Sequence, residues 1–163
     1  METQIKSIIA VLLILVGTTS LGAELKSTVP FYMYNAASVF KIDIALMYAI
    51  CKVESNCRSG AVNKNDSNST QRKRGQRDRS YGLFQIKKAT AKSLGFDSRS
   101  EDLLNPETNS WYAAKLLRHL FDKYKDTKKV VSAYNAGKYT KMNAKYVGKV
   151  LNNYANYKMS KRF

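Results

Sequence analysis

A single carboxylic acid, Glu54, is the strongest candidate for chemistry in this chain. It directly follows the apolar run of residues 44–53 and precedes a polar stretch. If this segment is helical, Leu46 and Ile50 lie two turns and one turn before Glu54 on the same face, so the carboxyl shares the stripe that packs on the core. Desolvation there would raise its pKa and keep it protonated as a general acid. A merely solvated glutamate at a helix end is the alternative.

Three short clusters further along the chain combine glycine with aromatic and amide side chains. They are Tyr81-Gly82-Leu83-Phe84-Gln85-Ile86, Ala133-Tyr134-Asn135-Ala136-Gly137 and Tyr146-Val147-Gly148-Lys149-Val150. Gly82 allows a tight chain path, and the Gln85 amide can both donate to and accept from a neutral ligand. The Tyr134 phenol could hydrogen-bond a carboxyl. Taken singly, the three clusters are more typical of a turn, a helix end and a core stripe, respectively, than of a functional site.

Helical patterns account for most of the remaining chain. The expected helices span residues 31–40, 43–55, 87–94, 106–124, 130–136 and 144–157. Asp43 is placed to cap the helix that carries Glu54, and Pro106 to start the longest one. In that long helix, Trp111 and Leu117 fall on one apolar stripe. Because no segment shows strand-like alternation and no repeat is found, we expect a compact all-α domain.

The first 23 residues have the pattern of a secretory signal peptide. Lys6 precedes an apolar stretch at residues 8–16, and small or uncharged residues follow it, so cleavage after Gly22 or Ala23 is expected. An uncleaved anchor is the alternative, although the apolar run is short for a span of about 20 residues. Residues 24–163 would then form one domain with a single core, exported to the periplasm or cell wall.

Two cysteines, Cys51 and Cys57, flank Glu54. In an oxidising compartment they could form a disulfide, provided that the chain turns back after Ser55, or they could stay as two thiols. The sequence leaves both open. Two cysteines and one histidine, His119, provide too few ligands at these spacings, so no metal site is expected.

The formal net charge is +16, and removal of the signal peptide leaves it unchanged. Such an excess indicates a polyanionic partner, namely an anionic wall polymer or a membrane surface for an exported protein. The densest basic block, residues 72–79, lies in a polar segment that we interpret as a loop insertion over residues 63–80. It could be a solvated loop or a binding site. No nucleic-acid partner is expected, because the aromatic residues fall in helical stripes and not among the basic ones.

Taken together and in this order, the motifs resemble the catalytic domain of lytic transglycosylases, which share the goose-type lysozyme fold. The resemblance runs from about residue 31 to residue 150 and rests on four ordered elements. These are Glu54-Ser55, then Gly82-Leu83-Phe84-Gln85-Ile86 for the family's Gly-Leu-Met-Gln signature, then Ala133-Tyr134-Asn135-Ala136-Gly137, then Tyr146 with Val150. In size the chain is most similar to small members found with secretion and conjugation machinery. It departs from the family at Phe84 and in the long insertion.

The resemblance implies cleavage of peptidoglycan glycan strands without water and without a cofactor. Glu54 would protonate the oxygen of the β-1,4 bond between N-acetylmuramic acid and N-acetylglucosamine, and then take the proton of the muramoyl 6-hydroxyl. The product would carry a 1,6-anhydromuramoyl end. A single carboxyl suffices because the substrate supplies its own nucleophile, whereas most glycosidases need two.

The resemblance also assigns roles to the other motif residues. Tyr134 would hydrogen-bond and orient Glu54, Ser55 and Gln85 would contact the sugar near the cleaved bond, and Tyr146 would line the groove. Asn135 would shape the helix end.

Two other functions stay open at this stage. A muramidase would hydrolyse the same bond but needs a second carboxylate, for which Asp66 and Asp78 in the insertion are the nearby acids. A non-catalytic peptidoglycan-binding protein of a secretion assembly would not need Glu54 at all. We expect a monomer, and the sequence sets neither the place of action nor endo or exo cleavage.

Overall fold

The computed structural model describes residues 29–64 and 79–161, and helices make up most of them. The α-helices in these ranges are α1 (Phe31–Val39), α2 (Ile44–Ser55), α3 (Lys88–Ser93), α4 (Pro106–Tyr124), α5 (Thr127–Ala136) and α6 (Ala144–Ser160). A 3₁₀ helix, Ser100–Leu104, precedes α4. None of the described helices is long and apolar enough to cross a membrane. The predicted signal peptide, residues 1–23, and positions 65–78 of the predicted insertion lie outside the described residues.

Side-chain caps fix where the helices begin. The Asp43 carboxylate accepts a hydrogen bond from the Ala45 N–H at 2.9 Å, as expected for the residue that starts the helix of Glu54. Helix α5 begins at Thr127, three residues earlier than predicted, because Asp126 caps it by accepting from the Lys129 N–H at 2.8 Å. Local capping therefore sets the starts of both helices.

A small antiparallel sheet with the order β1-β2-β3 joins the helices, and the sequence analysis did not anticipate it. Its strands are β1 (Val62–Asn63), β2 (Ser80–Tyr81) and β3 (Ile86–Lys87). Two residues are too few to show alternation, so the strands leave no period-2 signal. Asn63 pairs with Ser80, so the two ends of the predicted insertion lie side by side.

The core is formed by the helices, with α2 packed extensively along α6. Ile50, Leu117 and Val150 are fully buried in it. The predicted apolar stripe of α4 needs a correction at Trp111, because this residue is 38% exposed and is not part of the core. It lies at the edge of the α1–α4 contact, where its ring packs edge-on against Phe40 with the ring centres 4.8 Å apart. Trp111 thus lies at the rim of the core, whereas Leu117 on the same stripe is fully buried.

Candidate active site

Glu54 lies in the last turn of α2, where the helix leaves the core. Leu46 and Ile50, on the same face, are 1% and 0% exposed, whereas Glu54 itself is half-buried. Its Oε1 atom accepts a hydrogen bond from the Tyr146 hydroxyl at 2.6 Å. The carboxyl is therefore held on one side by the protein and faces a cleft on the other.

A disulfide fixes the helix end beside Glu54. Cys51 and Cys57, for which the sequence left a bridge and two thiols open, are bonded to each other with their Cα atoms 4.9 Å apart. The chain turns back through Asn56 and Cys57, both in the left-handed region with φ of 55° and 57°. The Cys57 N–H also donates to the Cys51 carbonyl at 3.1 Å. These links limit fraying of the turn that carries the carboxyl.

The hydrogen bond to Glu54 comes from Tyr146 and not from Tyr134, to which the sequence assigned it. Tyr146, on α6, donates to Glu54, whereas Tyr134, on α5, donates to the Phe84 carbonyl at 2.9 Å. The prediction that Tyr134 hydrogen-bonds Glu54 is therefore wrong. The reason is that α6 packs along α2, while the Tyr134 side chain reaches the turn before β3.

Both phenols stay protonated. Burial, and after it the negative charge of Glu54, raise the pKa of Tyr134 well above its ordinary value. Burial raises the pKa of Tyr146 in the same way, with further contributions from the charge of Glu54, from Tyr134 and from the hydrogen bond to Glu54. Tyr146 is thus a neutral hydrogen-bond donor to Glu54 near neutral pH.

A buried asparagine, Asn109 of α4, holds the turn that connects β2 and β3. Its Nδ2 atom donates to the carbonyls of Tyr81 and Leu103, and its Oδ1 accepts from the Phe84 N–H, each at 2.8 Å. Gly82 has a φ of +72°, and a Cβ atom there would lie 2.6 Å from the Asn109 amide. The glycine is required both by its conformation and by this close approach.

Ser55 and Gln85 are engaged within the protein, in contrast to the predicted sugar contacts. The Ser55 hydroxyl is buried and donates to the Leu83 carbonyl at 2.7 Å. The Gln85 amide donates to the Gly82 and Ala61 carbonyls, and its oxygen accepts from the Ser80 hydroxyl. Both side chains therefore stabilise the turn by donating to its backbone carbonyls.

A cleft of about 440 Å³ opens at Glu54. It is lined by Val53, Glu54, Asn135, Asn143, Lys145, Tyr146 and Lys149. Tyr146 thus lines the groove as predicted, and Glu54 is the one carboxyl among these lining residues. Within the described ranges, no group of three or more histidine, cysteine, aspartate or glutamate side chains could hold a metal ion. The chemistry available in the cleft is that of one carboxyl with a neutral phenol beside it.

The floor of the cleft at the end of α5 is built from amides. Asn143 donates from Nδ2 to the Ser132 carbonyl at 2.9 Å and to the Asn135 Oδ1 at 3.4 Å. Gly137 ends α5 in the left-handed region with φ of 77°. Asn135 is therefore an exposed residue of the cleft as well as part of the helix end to which the sequence assigned it.

Sequence reasoning missed Asn109, Asn143 and the lysines of the cleft. A signal for Asn109 was present, since it lies four and eight positions before Ala113 and Leu117 on the stripe that packs into the core. A polar residue in a core stripe must have buried partners. Asn143 and the lysines carried no such signal, because polar residues between and along helices are usual.

The chain is similar to known proteins in both sequence and fold. The family model of the Transglycosylase SLT domain matches residues 31–155, which is most of the chain. No curated protein sequence matches significantly. Among solved structures, an inactive glutamate-to-glutamine mutant of the lytic transglycosylase Slt from Pseudomonas aeruginosa is similar with a TM-score of 0.60 and 18% identity. The similarity covers 79% of this chain but only 24% of the Slt chain.

Two structures of DslA, one wild-type and one a glutamate-to-glutamine mutant, are also similar. Their identities are 20% and 19%, each with a TM-score of 0.44, covering 56% of this chain and 65% of DslA. At 18% identity, the likeness to Slt shows a shared fold. The predicted all-α, lysozyme-like architecture is confirmed, with the small sheet as an addition.

Proposed function

We propose that this protein, which belongs to the transglycosylase SLT domain family, is a lytic transglycosylase that cleaves the glycan strands of peptidoglycan. The family match confirms the resemblance found in the four sequence motifs. The observation that carries the proposed activity is the half-buried Glu54 carboxyl in an open cleft, with one oxygen fixed by the Tyr146 phenol at 2.6 Å. Such a fixed carboxyl is suited to deliver a proton to a bound glycosidic oxygen.

The proposed reaction uses Glu54 twice. The protonated carboxyl gives its proton to the β-1,4 oxygen as the bond to C1 of N-acetylmuramic acid breaks, and the N-acetyl group stabilises the positive charge that develops there. The Glu54 carboxylate then takes the proton of the muramoyl 6-hydroxyl. At the same time the oxygen of that hydroxyl bonds to C1, which closes the 1,6-anhydro ring. A tethered nucleophile can reach an effective concentration of about 10⁵ M or more, so water is not required.

Tyr146 supports both steps by keeping Glu54 in place. Because the pKa of Tyr146 is raised, the phenol donates to Oε1 whether that oxygen belongs to a carboxylate or to the carbonyl of the protonated acid. The second carboxyl oxygen is then the one that exchanges a proton with the substrate. Tyr146 acts here as a positioning residue.

The described lining of the cleft fits a mechanism that uses one carboxyl. A glycoside hydrolase that inverts or retains the configuration at the anomeric carbon usually needs a second carboxylate within about 10 Å of the first. Glu54 is the one carboxyl among the described residues that line the cleft. Asp66 and Asp78, the acids that the muramidase alternative would need, lie outside the described residues.

The test is digestion of purified sacculi followed by mass spectrometry of the glycan products. We expect anhydro ends, which are lighter than reducing ends by one water, and a loss of product by a factor of about 10³ or more in Glu54→Gln. Glu101→Gln, which removes an exposed carboxyl on the 3₁₀ helix, is the matched control and should keep full activity. Reducing ends alone would establish the muramidase, and binding without any product would establish a non-catalytic protein.

Export and a place of action belong to the same proposal. The signal-peptide pattern of residues 1–23 supports transfer to the periplasm or cell wall, where the substrate is found. A role in opening the wall for a secretion or conjugation apparatus rests on the size of the chain and its resemblance to small members of the family. Fractionation of cells that produce the full chain tests export. The efficiency of secretion or conjugative transfer in a strain with Glu54→Gln tests the role at the apparatus.

A further inference from the structure

A continuous groove extends from Glu54 along the contact between α2 and α6. The cleft at Glu54 shares Val53 and Lys149 with a second cleft of about 370 Å³, which is lined by Lys52, Val53, Lys149, Asn152 and Asn153. On α6, Lys145, Lys149 and Asn152 recur at helical spacing and so form one stripe along the groove. The groove is therefore longer than the reacting bond requires.

The charge of this groove is strongly asymmetric. Lys52, Lys145 and Lys149 line it, against the single carboxyl of Glu54. Within the described ranges, no carboxylate forms an ion pair with Lys145 or Lys149. Two lysines four positions apart on one helix repel each other and so destabilise the helix slightly. Folding stability therefore does not explain this pair.

A lysine on the same helix shows the contrast. Lys158 of α6 forms an ion pair with Asp43 at 3.0 Å and is thereby neutralised within the protein. The ammonium groups of Lys145 and Lys149 are exposed at the groove instead. Their charge is available to a ligand that lies in the groove.

We propose that Lys145 and Lys149, with Lys52 opposite them, form a carboxylate-binding arm that selects glycan strands still carrying their peptide stems. This inference rests on the proposed function, because it concerns the same substrate. In a peptide-bearing strand the amino sugars are neutral, because the lactyl carboxyl of N-acetylmuramic acid is amide-linked to the stem, whereas the stem itself bears free carboxylates. The arm adjoins Glu54, so a stem on a sugar bound at the acid would extend over the lysines. Lys52 also donates to the Asn56 amide and so contributes less than the α6 pair.

The experiment compares three substrates prepared from one batch of purified peptidoglycan that is free of accessory polymers. These are peptide-bearing strands, strands denuded by an amidase whose freed lactyl carboxylates have then been converted to amides, and peptide-bearing strands whose carboxylates have been chemically converted to amides. For the wild-type chain we expect kcat/KM on peptide-bearing strands to exceed that on the other two. Each exposed lysine–carboxylate contact corresponds to about a two- to fivefold change. In the double variant Lys145→Gln/Lys149→Gln, kcat/KM on peptide-bearing strands divided by kcat/KM on denuded strands should therefore fall about tenfold.

The matched control is the double variant Lys92→Gln/Lys128→Gln, which also removes two positive charges. Lys92 and Lys128 are exposed and line neither cleft. This control should keep the wild-type ratio. The inference is overturned if the wild-type chain cleaves all three substrates equally, if the amidated strands behave like native ones, or if the control loses the same ratio. A preference that appears only after an anionic wall polymer is added back would show that the arm binds that polymer and would also overturn it. Anhydro ends formed from denuded strands would still support the proposed reaction in each case.

Discussion

Two regions beside Glu54, a turn wall and a helix wall, are built on different principles. The turn wall consists of residues 80–86, which contact Ser55 through Leu83, together with Asn109 and Tyr134. Four polar side chains there donate or accept within the protein, namely those of Ser80, Gln85, Asn109 and Tyr134. The helix wall is the groove-facing stripe of α6, where Tyr146 holds Glu54 and two lysines are exposed. The first wall uses its polar groups to fix a backbone. The second presents them to the cleft.

This difference explains why recognisable motifs and substrate-facing residues do not coincide. Gly82 and Gln85 are distinctive in sequence because a tight turn restricts which residues fit there. Lys145 and Lys149 are restricted only by the ligand and occupy positions that many polar residues could fill. A motif can therefore mark the scaffold of a site more clearly than its contact surface.

The largest expected effect comes from Gly82→Ala on the turn wall. The new Cβ would lie 2.7 Å from the Leu103 carbonyl and closer still to Asn109, at a φ of +72°. We expect the free energy of unfolding to fall by roughly 3 kcal/mol, since strain and overpacking add. Urea denaturation followed by circular dichroism measures it.

Gly148→Ala on the helix wall is the matched control for this change. Gly148 lies within α6, and an added Cβ would meet nothing within 4 Å. The substitution should stabilise the protein by about 0.5–1 kcal/mol through helix propensity. Equal effects at the two glycines would contradict the proposed contrast between the walls.

A second comparison removes one hydroxyl from each wall. Tyr134→Phe leaves the Phe84 carbonyl without its donor, so we expect a loss of about 1–2 kcal/mol in the free energy of unfolding. Tyr146→Phe instead releases Glu54, and we expect kcat to fall about 10- to 100-fold, because hydrogen bonds to charged groups contribute about 1.5–3 kcal/mol. Parallel denaturation and sacculus digestion separate the two results. A larger loss of kcat in Tyr134→Phe would reverse the assignment of the two phenols.

The smallest effect concerns the charge that anchors α6 to the start of α2. Burial acts to raise the pKa of Asp43, but hydrogen bonds from Tyr154, Lys158 and the Ala45 N–H outweigh it and lower that pKa below its usual value of 3.8. The resulting stability is present above about pH 3.8 and is lost as the pH falls through the lower folded value. Asp43→Asn, which keeps the helix cap, should therefore cost no more than about 1 kcal/mol at pH 7.

Denaturation of Asp43→Asn and the wild-type chain across a pH series checks this. The difference between them should shrink toward zero as the pH falls below 3.8. A difference that grows in acid would mean that the folded protein destabilises the charged carboxylate of Asp43 and raises its pKa.

The sequence predicted the helices well where the information is local. Helix α4 has the predicted bounds, and the Asp43 cap lies where it was expected. The sheet and the Tyr146 contact could not be predicted in the same way. The two-residue strands are too short to show alternation. The Tyr146–Glu54 hydrogen bond joins positions 92 residues apart, so no local pattern indicates it. Periodicity places a side chain on a face of its helix but does not show which neighbour that face meets.

The pairing of β1 with β2 has a practical consequence for protein engineering. Because Asn63 and Ser80 are paired neighbours, residues 63 and 80 are held side by side. Two strand ends held this close can be joined by a turn of only a few residues, and lengthening a flexible linker costs only about 0.6 kcal/mol for each doubling of its length. This junction is therefore a place where a shorter turn, or a linker that carries an epitope or a fluorophore, could be introduced while the pairing of β1 with β2 is kept.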